Sequence, residues 1–415
     1  MIGKYFLSIV VIVALLSSGR VSVRAEPPQF PQDATFTTLV TLPRAIEGLT
    51  GDNRGNLYTG GTSAQTPCPI FRINMVSKDV ATVGNVLATC GFAGITFDDA
   101  GNLYVADGGA GKIYTVKPSA SNPPPIADVF ASGVPGTNGL AFDRDGNLWT
   151  GDGTTGQGRV WRITGSGANC TAATPVKCQE IFRIQPMANE VNLVNGVGGI
   201  GRDVRDLPLG TITVTPTSRN AANTLGSQPL VANGIAFNHQ GDMYVIDTAR
   251  GALWKVEFDR QGNLRSPTGC DTTFTANTLC LSNVFVAHPV LEGGDGIALD
   301  VAGNIWVDAN ERNAVAVVTK DGRVTEVFRN PVNSVNRRNS ADTAEGNTHI
   351  LEFPTSPFLS GKVFCTSMSD GDRRDNSPRN DGEIDASGNT VGKGLGKISC
   401  MDQDLIIPGL PLPVR

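Results

Sequence analysis

Short apolar runs split by polar turns recur along this chain at one register. The leading runs read Ile46-Glu47-Gly48-Leu49-Thr50, Ala93-Gly94-Ile95-Thr96-Phe97, Asn138-Gly139-Leu140-Ala141-Phe142, Asn233-Gly234-Ile235-Ala236-Phe237 and Asp295-Gly296-Ile297-Ala298-Leu299. Each continues through a turn into a second apolar run: Gly55-Asn56-Leu57-Tyr58, Gly101-Asn102-Leu103-Tyr104, Gly146-Asn147-Leu148-Trp149, Gly241-Asp242-Met243-Tyr244 and Gly303-Asn304-Ile305-Trp306. Short apolar runs bounded by such dipeptides predict strands, and two runs joined by one turn predict a β-hairpin. A hairpin repeated in this way predicts a closed or stacked β architecture.

The spacing narrows the architecture. The leading polar positions fall at 47, 93, 138, 233 and 295, and the first two intervals, 46 and 45 residues, match the ~40–50 residues of a four-stranded propeller blade. A degenerate sixth unit follows, with Thr348 to Phe353 as first strand, Lys362 to Cys365 as second and Lys397 to Cys400 as third. Its fourth strand is expected from Phe36 to Leu42, because an unclosed ring leaves an unpaired sheet edge. The predicted fold is therefore all-β: a six-bladed β-propeller of four-stranded blades, closed by an N-terminal strand in the last blade. The 95-residue interval before Asn233 carries an excess of about 45 residues. That excess, at about 170–230, is read as an insertion between blades three and four: a lid, a plug or a degenerate extra blade.

Composition adds the compartment. Residues 1–25 read as a secretory signal, with Lys4, an apolar run from Phe6 to Leu16 and small residues before Glu26. A Pro-rich segment at 26–34, the propeller at 35–402 and a tail at 403–415 complete the expected organisation. No run approaches the ~20 apolar residues of a membrane span, so the expected location is secreted or periplasmic. Losing the signal takes the formal charge from −5 to −8, which disfavours nucleic acid and anionic membranes as partners. The 8 cysteines all lie beyond the signal and suit an oxidising compartment. Local pairing is expected: Cys68 with Cys90, Cys170 with Cys178, Cys270 with Cys280, and Cys365 with Cys400. No CxxC pair points to zinc or redox work.

In a propeller the innermost strands start near the axis, so the leading residues of different repeats become neighbours. Those residues are Glu47, Ala93, Asn138, Asn233 and Asp295. Four oxygen-bearing side chains meeting in a channel lose hydration that a divalent cation restores. Two carboxylates and two carboxamides form a hard, oxygen-only set, which suits Ca2+ best and Mg2+ less well. An Asn-Gly or Asp-Gly dipeptide is also ordinary turn chemistry. Here the polar residue precedes the strand in four repeats, while Asp98, Asp143 and Asp300 serve the turns.

The Glu-Gly, Asn-Gly, Asn-Gly and Asp-Gly entries, with the Gly-Asn-Leu-Tyr/Trp second strands, resemble the senescence marker protein/gluconolactonase/luciferin-regenerating enzyme family, to which diisopropyl fluorophosphatase and paraoxonases are related. The resemblance spans about residues 35 to 402. It implies a six-bladed propeller, one catalytic calcium at its centre, and hydrolysis of lactones or organophosphates. By that likeness Glu47, Asn138, Asn233 and Asp295 are the metal ligands, from blades one, three, four and five, and Asp295 is also base or nucleophile. The exported location, the cysteines and the insertion depart from the intracellular lactonases, so substrate identity does not carry over. His349, at or next to the ligand register of the sixth unit, is a candidate proton shuttle in the channel.

The expected function is that of an exported calcium-dependent hydrolase of lactones or related esters, with a small-molecule ester as partner. The alternative is a non-catalytic propeller that binds a protein or glycan and keeps a structural cation. A serine triad lacks its Gly-x-Ser-x-Gly elbow. The run from Asn195 to Gly201 lacks the strand and helix of a phosphate loop. Asp143-Arg144-Asp145-Gly146-Asn147 is read as a hairpin turn rather than a calcium loop, the acidic stretch from Asp370 to Asp385 as a solvated loop, and Trp149, Trp161, Trp254 and Trp306 as packing between blades.

Overall fold

Strands make up nearly all the regular structure among the described residues, with single-turn 3-10 segments such as Leu281–Asn283 and Pro289–Leu291. The computed structural model describes residues 30–31, 34–185, 232–248, 250–272, 274–291, 293–310, 313–329, 351, 353–369, 383–384, 390–391 and 396–411. The proposed signal, the Gly-rich run at 195–201, His349 and most of the acidic stretch lie outside them.

Each repeated hairpin forms as its pattern predicts and gains two further antiparallel strands. The third repeat orders Thr137–Phe142, Leu148–Asp152, Arg159–Ile163 and Cys178–Arg183. The Asn233 repeat orders Ile235–Phe237, Met243–Asp247, Ala252–Val256 and Val284–Ala287. The Asp295 repeat orders Gly294–Leu299, Ile305–Ala309, Ala314–Val318 and Val324–Arg329. In the sixth unit Pro354–Ser360, Val363–Met368 and Gly396–Met401 are completed by the N-terminal strand Phe36–Leu42, which pairs with Gly396–Met401 from Phe36 opposite Met401 to Leu42 opposite Gly396. The Glu47 and Ala93 repeats share one nine-stranded sheet, because Thr62 and Ser63 pair with Gly91 and Cys90. The result is a propeller-like arrangement of small antiparallel sheets.

Second strands such as Leu103–Asp107 and Ile305–Ala309 are buried at every position, since a neighbouring sheet covers each face. This explains their unbroken apolar runs, which lack the alternation of a half-exposed strand. The buried side chains accordingly cluster between sheets. Tyr58 and Ile70 pack with Ile95 and Leu103; Tyr104 and Ile113 with Leu140 and Trp161; Trp149 and Phe182 with Phe237 and Met243. Onward round the molecule, Tyr244 and Leu253 pack with Ile305 and Val307, Trp306 and Val317 with Phe364 and Met368, and Phe358 and Ile398 with Leu49 and Leu57. Trp149 and Trp306 are thus inter-sheet packing, as expected.

All four disulfides form the expected pairs, and no free cysteine is left. Cys68–Cys90 staples two consecutive repeats, and Cys365–Cys400 ties two strands of the closing sheet. Cystine at this density is the usage of oxidising compartments. No helix among the described residues is long and apolar enough to cross a membrane.

Two expectations shift. The first strand of the sixth unit is Pro354–Ser360 rather than 348–353, because its inner edge carries Thr355-Ser356 in place of the polar-Gly signature and so gave no register to read. The stretch from 170 begins as part of the third sheet: Cys178–Arg183 pairs with Arg159–Ile163, and residues beyond 185 lie outside the description until 232. The C-terminal tail also packs. Leu405 and Gly409 donate backbone N–H bonds to Lys362 and Gly361, and Pro408 O accepts from Val301. Leu410, 3% exposed, lines a cavity of about 120 Å³ with Leu49, Ile95, Leu140, Ile235 and Ile297.

Candidate axial metal site

The repeated glycine after each leading residue is demanded by close approach. A Cβ on Gly48 would come within 3.0 Å of Ala93 O, one on Gly94 of Asn138 O, one on Gly139 of Asn233 O, one on Gly234 of Asp295 O, and one on Gly296 of Thr355 O. Thr355 Oγ1 in turn donates to Glu47 O at 2.7 Å, and Ser367 Oγ donates to the same carbonyl. The entry segments therefore form a closed circuit through Glu47, Ala93, Asn138, Asn233, Asp295 and Thr355. Asn138, Asn233 and Asp295 are consecutive in it, and Glu47 is reached across Thr355 on one side and Ala93 on the other. Thr355 takes the sixth place in the register, where the sequence reading set His349.

Asn138, Asn233 and Asp295 are buried, at 7%, 1% and 3% exposure, and Glu47 is partly buried. Asp295 Oδ2 accepts from Asn310 Nδ2 at 2.9 Å, and Asn310 is itself fully buried. Asn233 Nδ2 donates to Thr248 Oγ1 at 3.1 Å, while Asn233 Oδ1 is buried with no hydrogen-bond partner. A buried amide oxygen left unpaired costs about 1–3 kcal/mol, and this one is free to accept from a ligand. Among the described residues no three His, Cys, Asp or Glu side chains form a metal cluster. The candidate set contains just two of those types, Glu47 and Asp295, and completes itself with carboxamides. Hard oxygen donors of this kind fit a calcium ion.

Opposite the kinked pair Asp295-Gly296 lies Asp308, fully buried, on the facing strand. Burial pushes its carboxyl well above the usual carboxylate range, against the hydrogen bond that Thr366 Oγ1 donates to Oδ2 at 2.5 Å. Thr248, Asn310, Asp308 and Thr355 were all invisible to the motif. The first two directly follow the ends of second strands, at Asp247 and Ala309, and that fixed offset from the apolar run is the signal that would have found them.

Residues 199–337 match the model of an SMP-30/gluconolactonase/LRE-like region. That span contains Asn233 and Asp295, and it upholds the resemblance read from the repeats. No curated protein matches the chain by sequence. Among solved structures, the chain is similar to a calcium-binding protein, regucalcin, from Agrobacterium tumefaciens str. C58: 13% identity, TM-score 0.52, covering 92% of this chain and 97% of that one. It is also similar to luciferin-regenerating enzyme, with 13% identity, TM-score 0.50 and coverage of 92% and 99%. The PQQ-bound aldose sugar dehydrogenase of Streptomyces coelicolor is alike at 12% identity and TM-score 0.50, over 90% of this chain and 99% of that one. Proteins of different chemistry share this likeness, so it speaks for the fold alone.

Proposed function

We propose that this chain is an exported, calcium-dependent hydrolase of lactones or related esters, built on a six-bladed propeller. Four separate sheets each make a blade, the nine-stranded sheet contributes two, and inter-sheet clusters joining the last blade to the first support closure. The leader-like sequence at 1–25 and the four disulfides support export.

The observation that carries the reading is the closed circuit of entry segments, with a buried, unpartnered amide oxygen on Asn233 beside the Asp295 entry. Glu47, Asn138, Asn233 and Asp295 would hold the cation. When bound, calcium supplies Lewis acidity toward a carbonyl or phosphoryl oxygen. Asp295 takes a proton from the water that adds to the ester carbonyl, or adds to that carbonyl itself to give an acyl-enzyme that water then cleaves. In either case the ester C–O bond breaks and the departing oxygen takes up a proton, while Asn310 holds the carboxylate in place through Oδ2. The first strands, with Leu410, line a small cavity along the axis. His349 is retained as a candidate proton shuttle.

The test is calorimetric calcium titration of chelator-stripped mature protein beside Asp295→Ala, followed by a lactone and phosphotriester screen. Binding by wild type, with binding and turnover lost in the variant, is the expected result; a loss of at least ~100-fold in rate is the scale for removing such a group. Wild-type turnover in Asp295→Ala overturns the assignment.

A further inference from the structure

A hydroxyl carries one proton and so donates once, while its lone pairs accept. Thr248 Oγ1 lies 2.5 Å from Gly294 O, a carbonyl that can only accept, so the hydroxyl proton is committed there. What faces Asn233 at 3.1 Å is then a lone pair, and only the NH2 end of the carboxamide fits against it. The carboxamide is locked with Nδ2 on Thr248 and Oδ1 directed elsewhere. That Oδ1 is the buried atom without a partner.

The same hydroxyl joins two repeats. Gly294 immediately precedes Asp295, and Asp295 O accepts from Gly234 N at 2.9 Å, so the Asn233 and Asp295 entries are tied by two hydrogen bonds. The equivalent position differs elsewhere. In the third repeat it is Gly153, where a Cβ would strike the Asn138 side chain; in the fifth it is Asn310, which donates to Asp295.

We propose that Thr248 is a positioning residue for the axial site: its hydroxyl bridge, donating to Gly294 O and accepting from Asn233 Nδ2, holds the Asn233 amide oxygen ready for a divalent cation. This rests on the calcium reading above. Without the hydroxyl the amide can turn by 180° and present its NH2 end, which repels a cation and supplies no ligand oxygen.

The experiment is calcium calorimetry on chelator-stripped wild type, Thr248→Val, Thr248→Ser and Asn233→Ala, and on the double variants with Asn233→Ala. Thr248→Val is expected to bind at least ~10-fold more weakly, and Thr248→Ser to stay within about threefold of wild type. In the Asn233→Ala background Thr248→Val should have no further effect, because the group it orients is gone. If wild type binds calcium and Thr248→Val binds as tightly, the inference falls and the calcium reading stands. An equal loss from Thr248→Val with and without Asn233 also overturns it, as that marks a general packing defect. Absence of binding in wild type removes both. Should Thr248→Val not fold, Thr248→Ala carries the same comparison.

Discussion

The two ends of the inner strands use the same residue types to opposite ends. At the hairpin turns, Asp52, Asp98, Asp143, Asn238 and Asp300 spend their oxygens on local donors. Asp143 Oδ1 accepts from the backbone of Asp145 and Asn147, and its Oδ2 from Asn147 Nδ2 and Trp149 Nε1. Asp300 repeats the pattern with Ala302, Asn304 and Trp306, and Asp52 and Asp98 with Tyr58 and Tyr104. Burial and the Asp52 carboxylate hold the Tyr58 phenol up to about 12, so it stays a donor. At the entry end no such closed local set forms: Asn233 keeps an unpaired oxygen, Asn233 and Asp295 find partners at the far end of the next strand in Thr248 and Asn310, and the bond from Gly234 N–H to Asp295 O runs between repeats. Polar groups that satisfy themselves within about six residues build a turn; groups whose partners lie farther along the chain or in other repeats build a site.

The largest effect that tests this contrast is expected from Asp300→Ala. It strands the amides of Ala302 and Asn304 and the Trp306 indole N–H, and should cost about 2–4 kcal/mol in denaturant unfolding. Calcium affinity of the folded variant should be unchanged. A variant of wild-type stability that bound calcium poorly would reverse the roles of the two ends.

Gly234→Ala comes next, since its Cβ would collide with the Asp295 backbone. A loss of roughly 1–3 kcal/mol is the scale for forcing atoms into packed space, with calcium affinity falling as well because the Asp295 entry must move. Ala at Gly55, where nothing lies within 4 Å but φ is +82°, should cost backbone strain and leave calcium binding intact.

The smallest effect is at Asp308. Its folded-state pKa is raised, so the protonated form is the one the fold accommodates. Stability from this group is whole below the unfolded pKa of about 4 and is lost as pH rises toward the folded value. Asp308→Asn should therefore raise Tm at pH 7 by roughly 2 °C, about what 1 kcal/mol yields in a large domain. The gain should vanish near pH 4; one that grew toward low pH would contradict the buried, neutral carboxyl.

Strand order within the repeats, the hairpin turns and the disulfide pairs were legible in the chain because each rests on local pattern, and the N-terminal closing strand because an open ring of repeats leaves an edge to pair. Apolar runs flanking a Gly-Asn turn pair with each other, and the cysteines pair in consecutive twos along the chain, eight to thirty-five residues apart. The leading residues Glu47, Asn138, Asn233 and Asp295 were legible for the same reason, as a repeated register. Tertiary structure alone decided what surrounds them. That Thr355 rather than a residue near His349 takes the sixth place, that Thr248 orients Asn233 and Asn310 holds Asp295, and that Leu410 returns to the axis all depend on how strands are brought together in space. Apart from the offset that Thr248 and Asn310 share behind their second strands, such contacts leave no periodic trace in sequence, because each is made by different side chains.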